Sequence, residues 1–366
     1  MSQGRPDISV VIGSMRIGGA ERATMHLING LSKKGLKVDL VLLFKAGDFL
    51  DSIDPNINIV NLNKRKASQG IGAFRKYLKQ NNPEKLLVVQ NHIQLMVLIA
   101  AKLTSWKGKI ILNEQSTFSR NLIGFKGSIQ QKLSKLLFPG VDSITAVSEG
   151  VSADLKRNFP GMKNKICVIP NAVITEHLYK VKDKPVSHPY FNTGNPVFIS
   201  AGRFIKSKNF DLLIKAFKVY NKDNMARLII LGDGEERHHL KRLVAALNMT
   251  DMVSFPGFVP DPCSYFSKAD LFISSSDYEG LPGVIIEALA CGCKVVSTDC
   301  DNGPAEILQN GKFGFLCPVG NVNYMAEAID LAVNSKVDKI SLVERANYFH
   351  VDRIVAEYLK LINSLK

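Results

Sequence analysis

Along the chain, short runs of aliphatic and β-branched residues alternate with longer stretches whose apolar residues recur every three or four positions. That alternation is the signature of parallel α/β sheets. Residues 7–13 (DISVVIG) predict a first strand and residues 20–34 an amphipathic helix. Strands follow at 38–44, 57–62, 86–89, 110–113 and 143–147, with helices between most of them, and 166–169 closes the first sheet. Residues 175–195 hold proline and turn residues without periodicity and read as a linker. The pattern then restarts with a strand at 196–201, a helix at 210–220, a strand at 227–231 and a helix at 235–247. Strands near Val253, Leu271 and Val295 come next, with a helix at 282–290 between the last two and helical stretches at 323–333 and 352–365.

No short-period repeat interrupts this order, so one doubly wound unit follows another. The predicted fold is α/β, with a Rossmann-like domain at 1–174, a linker at 175–195, a second Rossmann-like domain at 196–350 and a final helix, 351–366, packing back on the first. Ligands of such sheets lie at the carboxyl ends of the strands, so a cleft across which the two domains face is the expected site. A length of 366 residues suffices for two such cores. The N-terminus carries no apolar run of signal-peptide length, and the later apolar runs are strand-sized. Six cysteines without a C-x-x-C pair fit reduced thiols, and the C-x-C at Cys291 and Cys293 reads as structural; the expectation is a cytoplasmic protein.

Charge changes this picture. Residues 1–170 hold 25 basic and 11 acidic side chains, whereas residues 171–366 hold 22 of each, so the whole excess of +14 lies in the first half. Such a half attracts an anionic partner or surface, or simply keeps the protein soluble. No nucleic-acid-binding motif accompanies it, so no nucleic acid is expected. Two basic amphipathic stretches lie there. One, at 70–80, alternates Ile71, Phe74, Tyr77 and Leu78 with Arg75, Lys76 and Lys79. The other, at 120–138, combines Leu122, Phe125, Ile129, Leu133 and Leu136 with Lys126, Lys132 and Lys135. Each reads either as a surface helix packed on its own sheet or as a segment lying on an anionic leaflet.

Three segments carry candidate chemistry. After the first strand, Gly18 and Gly19 precede a helix, where a close backbone approach and a helix N-terminus favour phosphate. The spacing is not the G-x-G-x-x-G dinucleotide fingerprint, which disfavours a dehydrogenase. After the strand at 196–201, Arg203 and Lys208 place two cations at a sheet edge, able to clamp a diphosphate. The third segment runs from Ser276 through Glu279-Gly-Leu-Pro282-Gly283-Val284 to Glu287. Its proline and glycine open a helix with free backbone N–H groups. Glu287 then falls among apolar residues, where a carboxylate needs a partner such as a ribose diol.

Taken in order, GGAER at 18–22, VSEG at 147–150, VIPNAV at 168–173, AGRFIKSKNFDLLIKAF at 201–217, LGDGEE at 231–236, FPGFVPD at 255–261, SSSDYEGLPGVIIEALACGCKVVSTDC at 274–300 and GPAEIL at 303–308 cover nearly the whole chain. This set resembles the retaining family-4 glycosyltransferases of the GT-B fold, of the kind that builds bacterial surface glycans. The resemblance implies that Arg203 and Lys208 hold the donor diphosphate, with Gly18, Gly19, Gly283 and Val284 around it. It implies further that Glu287 binds ribose, that Glu279 binds the transferred sugar, and that the base lies near Gly232, Phe258 and Val259. Glu279, Arg203 and Lys208 would carry catalysis, with no metal and no cofactor, the donor being a substrate.

The expected activity is transfer of a hexose or N-acetylhexosamine from a nucleoside-diphosphate sugar, UDP-linked, to a glycan or polyprenyl-diphosphate-linked acceptor. The enzyme would work in the cytoplasm or peripherally on the inner face of the membrane. A sugar-nucleotide epimerase of the same fold, or a non-catalytic binding subunit, are the competing readings. Relatives often carry a histidine where this chain has Gln115; glutamine cannot titrate, so His92 joins Gln115 as an acceptor-side candidate. The D-x-D at Asp299–Asp301 reads as a loop rather than a metal motif.

Overall fold

A computed structural model of the protein describes residues 4–121 and 124–365. It forms two compact units, Met1–Val173 together with Val351–Lys366, and Ile174–His350.

The first unit is built on seven parallel strands: β1 (Ile8–Ile12), β2 (Val38–Leu42), β3 (Asn58–Asn61), β4 (Lys85–Val89), β5 (Lys109–Glu114), β6 (Ser143–Ala146) and β7 (Ile166–Val168). They lie in the order β3-β2-β1-β4-β5-β6-β7. Every residue of β1 and β2 is buried, as a parallel sheet covered on both faces requires. The second unit repeats the plan with β8 (Val197–Ala201), β9 (Arg227–Leu231), β10 (Val253–Gly257), β11 (Leu271–Ser274), β12 (Lys294–Thr298) and β13 (Phe315–Cys317). Its order, β10-β9-β8-β11-β12-β13, is that of the dinucleotide-binding folds. In both sheets the order reverses beside the first strand, at β1/β4 and at β8/β11, and the loops there diverge to leave room for a ligand.

The helix Val351–Ser364 belongs to the first unit. Ile354, Val355, Tyr358 and Ile362 enter the same core as Ile8, Val10, Leu40 and Ile111. Gly30 makes this close approach possible, since a Cβ there would lie 2.4 Å from Val355 Cγ2. The Tyr358 hydroxyl accepts from Asn113 Nδ2 at 2.9 Å and lies 3.3 Å from Thr145 Oγ1, so the helix is keyed to β5 and β6 by polar as well as apolar contacts. No helix among the described residues is long and apolar enough to cross a membrane.

Several elements depart from the sequence-based expectation. The segment 175–195 contains a helix, Glu176–Val181, capped by Thr175 and buried through Leu178 and Val181. A sixth strand, β13, and a helix at Lys339–Asn347 complete the second unit. Glu176–Val181 and β13 are too short for a period to rise above the background of the chain.

The keyed helix yields a first prediction. Tyr358→Ala should lower the unfolding free energy of the first unit by about 3–5 kcal/mol, through the lost ring and the stranded Asn113 amide. Lys360→Ala, on the exposed face of the same helix, should stay within about 0.5 kcal/mol of wild type. Urea unfolding of both variants measures the difference.

Candidate functional site

The carboxyl edge of the second sheet gathers segments far apart in sequence. β8 leads into Gly202 and Arg203, β9 into Gly232, β10 into Phe258 and Val259, and β11 into the stretch that ends at Glu279. At the β8/β11 switch point these loops are stitched together. Lys208 Nζ pairs with Glu279 Oε1, which also accepts from Ser276 Oγ at 2.7 Å. Asn209 Nδ2 donates to Asp277 Oδ1 at 2.7 Å, Ser275 Oγ to the Lys208 carbonyl at 2.9 Å, and Asp277 N to the Ser207 carbonyl at 2.8 Å. Both members of the Lys208–Glu279 pair are mostly buried, with 22% and 14% of their side-chain surface exposed. In such surroundings an ion pair is screened less than on the surface. Arg203 projects from the same edge and is exposed; Phe258 is 43% exposed.

The helix Gly283–Ala290 begins beside this cluster. Pro282 is its N-cap and no side chain caps it, so its first N–H groups are presented by glycine and valine backbone. Glu287 lies just over one turn in and is 5% exposed, amid Ile285, Ile286, Ala288 and Leu289, which are fully buried. Two glycines allow this packing. Gly232 has φ +135° and a Cβ there would lie 1.9 Å from the Gly202 carbonyl oxygen; Gly303 has φ +95° and its Cβ would lie 2.4 Å from Pro282 Cδ. The Asp299–Asp301 segment is a loop whose main chain braces the site, with Asp301 bridged to Tyr278 and its carbonyl accepting from Glu279 N at 3.4 Å. Among the described residues no group of three or more His, Cys, Asp or Glu side chains is arranged around a metal position.

The remaining candidates lie in the first unit, at the carboxyl edge of its sheet. Gly18 is the extended N-cap of the helix Gly19–Lys33, again without a side-chain cap, and a Cβ at Gly19 would meet nothing within 4 Å. His92 is exposed, with Nε2 3.3 Å from where a Gly13 Cβ would sit, and partial burial of its ring lowers its basicity. Gln115 is engaged with the protein itself. Its amide donates to Asn113 Oδ1 and, at 3.1 Å, to Asn171 Oδ1, and its carbonyl accepts from Asn171 Nδ2 at 2.8 Å. Glutamine here ties the end of β5 to the segment after β7.

Two family models account for most of the chain. Glycosyltransferase Family 4 matches residues 17–177 and Glycosyl transferases group 1 matches residues 184–348. The chain belongs to the family-4 glycosyltransferases of the GT-B fold. This glycosyltransferase is 28% identical over 381 residues to the N-acetylgalactosamine-N,N'-diacetylbacillosaminyl-diphospho-undecaprenol 4-alpha-N-acetylgalactosaminyltransferase of Campylobacter jejuni, covering 97% of this chain and 99% of that one. It is 27% identical to the lipopolysaccharide core biosynthesis glycosyltransferase LpsE of Rhizobium meliloti, over 95% of this chain and 96% of that protein. Among solved structures, Anabaena HepE in complex with UDP and glucose superposes with a TM-score of 0.81 at 18% identity, covering 99% of this chain and 100% of that one.

Sequence reasoning missed the bracing of the first unit's switch point. Gln90 Nε2 donates to Glu21 Oε1 at 2.6 Å, and Gln90 Oε1 accepts from Gly13 N at 3.2 Å. To do so Gln90 takes φ +77°, a conformation non-glycine residues rarely adopt. Glu21 stands inside the GGAER segment, but nothing in the pattern marks Gln90 as its partner. Nothing in the sequence pattern marks Glu114, the neighbour of Gln115, either. The glycosyltransferase buries this carboxyl completely, and neither oxygen has a well-formed hydrogen-bond partner among the described residues. Burial lifts it from 4.5 to about 7, opposed by the amides of Gln94 and Asn91 and reinforced by the nearby charge of Asp154.

The raised value fixes the sign of a pH effect. Between about pH 4.5 and 7 the unfolded chain releases a proton that the folded chain keeps, so Glu114 makes stability fall as pH rises through that window. Glu114→Gln should therefore exceed wild type by an amount on the order of 3 kcal/mol at pH 8. The gap should narrow toward pH 5, as read by urea unfolding of both proteins across the range.

Proposed function

We propose that the protein is a retaining transferase that moves a hexose or N-acetylhexosamine from a UDP-sugar to a polyprenyl-diphosphate-linked glycan during surface-glycan synthesis. The observation that carries this reading is the β8/β11 switch point, where Arg203, the Lys208–Glu279 pair and an uncapped helix N-terminus share one edge. A sugar-diphosphate donor needs that combination of fixed cations and N–H dipoles to stabilise the charge left on its diphosphate. The Campylobacter relative, named for an undecaprenyl-diphosphate-linked acceptor, and the lipopolysaccharide relative LpsE support the acceptor class. HepE, which shares the fold, was solved with UDP, the nucleotide assigned here.

In this reading Glu287 holds the ribose hydroxyls, and the backbone around Gly232, Phe258 and Val259 receives the base. Glu279 does two things: it orients Lys208 and accepts a hydrogen bond from the transferred sugar. The anomeric C–O bond to the diphosphate breaks while the acceptor oxygen bonds to the same face of the sugar. The departing diphosphate takes the acceptor's proton, its charge borne by Arg203, Lys208 and the backbone N–H groups at Gly283 and Val284. Side-chain cations carry this charge, so the expected activity persists in chelator. His92 lines the acceptor side as a neutral imidazole.

Thermal unfolding with nucleotides tests the donor assignment. UDP at about a hundred times its dissociation constant should stabilise the protein by roughly 2.7 kcal/mol, with GDP, ADP and NAD giving less. Glu287→Gln should weaken UDP at least about tenfold, equivalent to ~1.4 kcal/mol. A shift with NAD alone would overturn the reading. In a turnover assay, Glu279→Gln should lower kcat by about a hundredfold or more, the scale of losing one transition-state hydrogen-bond donor or acceptor. Donor consumption must depend on added lipid-linked acceptor; consumption without it would point to an epimerase.

A further inference from the structure

The two basic amphipathic stretches behave in opposite ways. The helix Ala67–Asn81 buries Phe74, Tyr77 and Leu78 and leaves Lys76 and Lys79 outside, as a helix packed on its own sheet does. The helix Gly124–Leu137 is inverted. Its inward side is small and polar, with Gly127 buried and Ser134 only 1% exposed, two turns apart. Ile129, Leu133 and Leu136, spaced i, i+4 and i+7 on another face, are 46%, 36% and 71% exposed. Leu122 and the side chains of Phe125 and Lys126 lie outside the described residues. Phe138, at the helix end, is buried in a cluster with Phe118 and Phe159 at centroid distances of 5.8 and 5.0 Å. That anchor fixes the rotation of the helix and keeps the aliphatic stripe outward.

We propose that this outward face of the Gly124–Leu137 helix is a docking surface for an anionic lipid leaflet, seating Ile129, Leu133 and Leu136 among the acyl chains. Charge selects the occupant. Between Glu114 and Asp142 the chain has no acidic residue and four basic ones, Arg120, Lys126, Lys132 and Lys135; Lys132 and Lys135 are exposed beside the stripe. A second copy of the chain would oppose like charges across the contact, whereas an anionic leaflet complements them. The inference rests on the reading above for the reason a leaflet is needed, since a polyprenyl-linked acceptor resides there, and on the helix alone for where contact is made.

Vesicle cosedimentation tests it, using phosphatidylcholine vesicles with about one-third phosphatidylglycerol against pure phosphatidylcholine. Wild type should favour the anionic vesicles, and Ile129→Ser/Leu133→Ser/Leu136→Ser should bind them at least about tenfold more weakly. Lys132→Glu/Lys135→Glu should abolish the preference for anionic lipid. The UDP thermal shift, read on each variant, should stay at the wild-type value; its failure in wild type would sink the donor assignment without touching the docking surface. Wild-type binding retained by the triple serine variant would overturn the proposal. So would a wild type that ignores vesicles but dimerises through this face, with the dimer lost in the triple variant.

Discussion

A carboxylate and an ammonium removed from bulk water must answer each other, and in the second unit that requirement organises the whole sheet edge. Lys208 stands on the loop after β8 and Glu279 on the loop after β11. Their pairing can form only because the strand order reverses between those strands and brings the two loops side by side. Ser276, Asn209 and Asp277 then fix the geometry with hydrogen bonds of their own, and the Asp301 main chain braces the turn from behind. Removing either partner would leave the other with a poorly compensated charge.

The first unit uses the same sheet plan for a different balance of forces. Its switch point is braced by the Gln90 side chain, which joins Glu21 to the Gly13 N–H. Farther along the edge, Gln115 and Asn171 exchange hydrogen bonds in both directions and secure two loops to each other. Glu114, one residue earlier, holds its carboxyl in the sheet without a well-formed partner among the described residues. The unit therefore keeps an ionisable group in its interior while its surface carries the chain's excess of positive charge.

The sequence by itself determined the two doubly wound units, the strand periodicities and the residues of the second unit's carboxyl edge. It could do so because those signals are local. A fully buried parallel strand needs an unbroken apolar run, and the Glu279–Glu287 segment keeps its proline, glycines and carboxylates within a few turns of chain. Short elements such as Glu176–Val181 and β13 escaped because three to six residues show no period.

Tertiary structure alone decided which side chains answer one another and which way a helix turns. Lys208 and Glu279 are 71 residues apart, and Gln115 meets Asn171 across 56. Helical spacing places Ile129, Leu133 and Leu136 on one face but cannot say whether that face points in or out. The outcome depended on the buried Phe138 and on the small Gly127 and Ser134 facing inward. A pattern along a chain records which residues share a face; what that face meets is set by packing with distant residues, and the packing determines what each side chain can do.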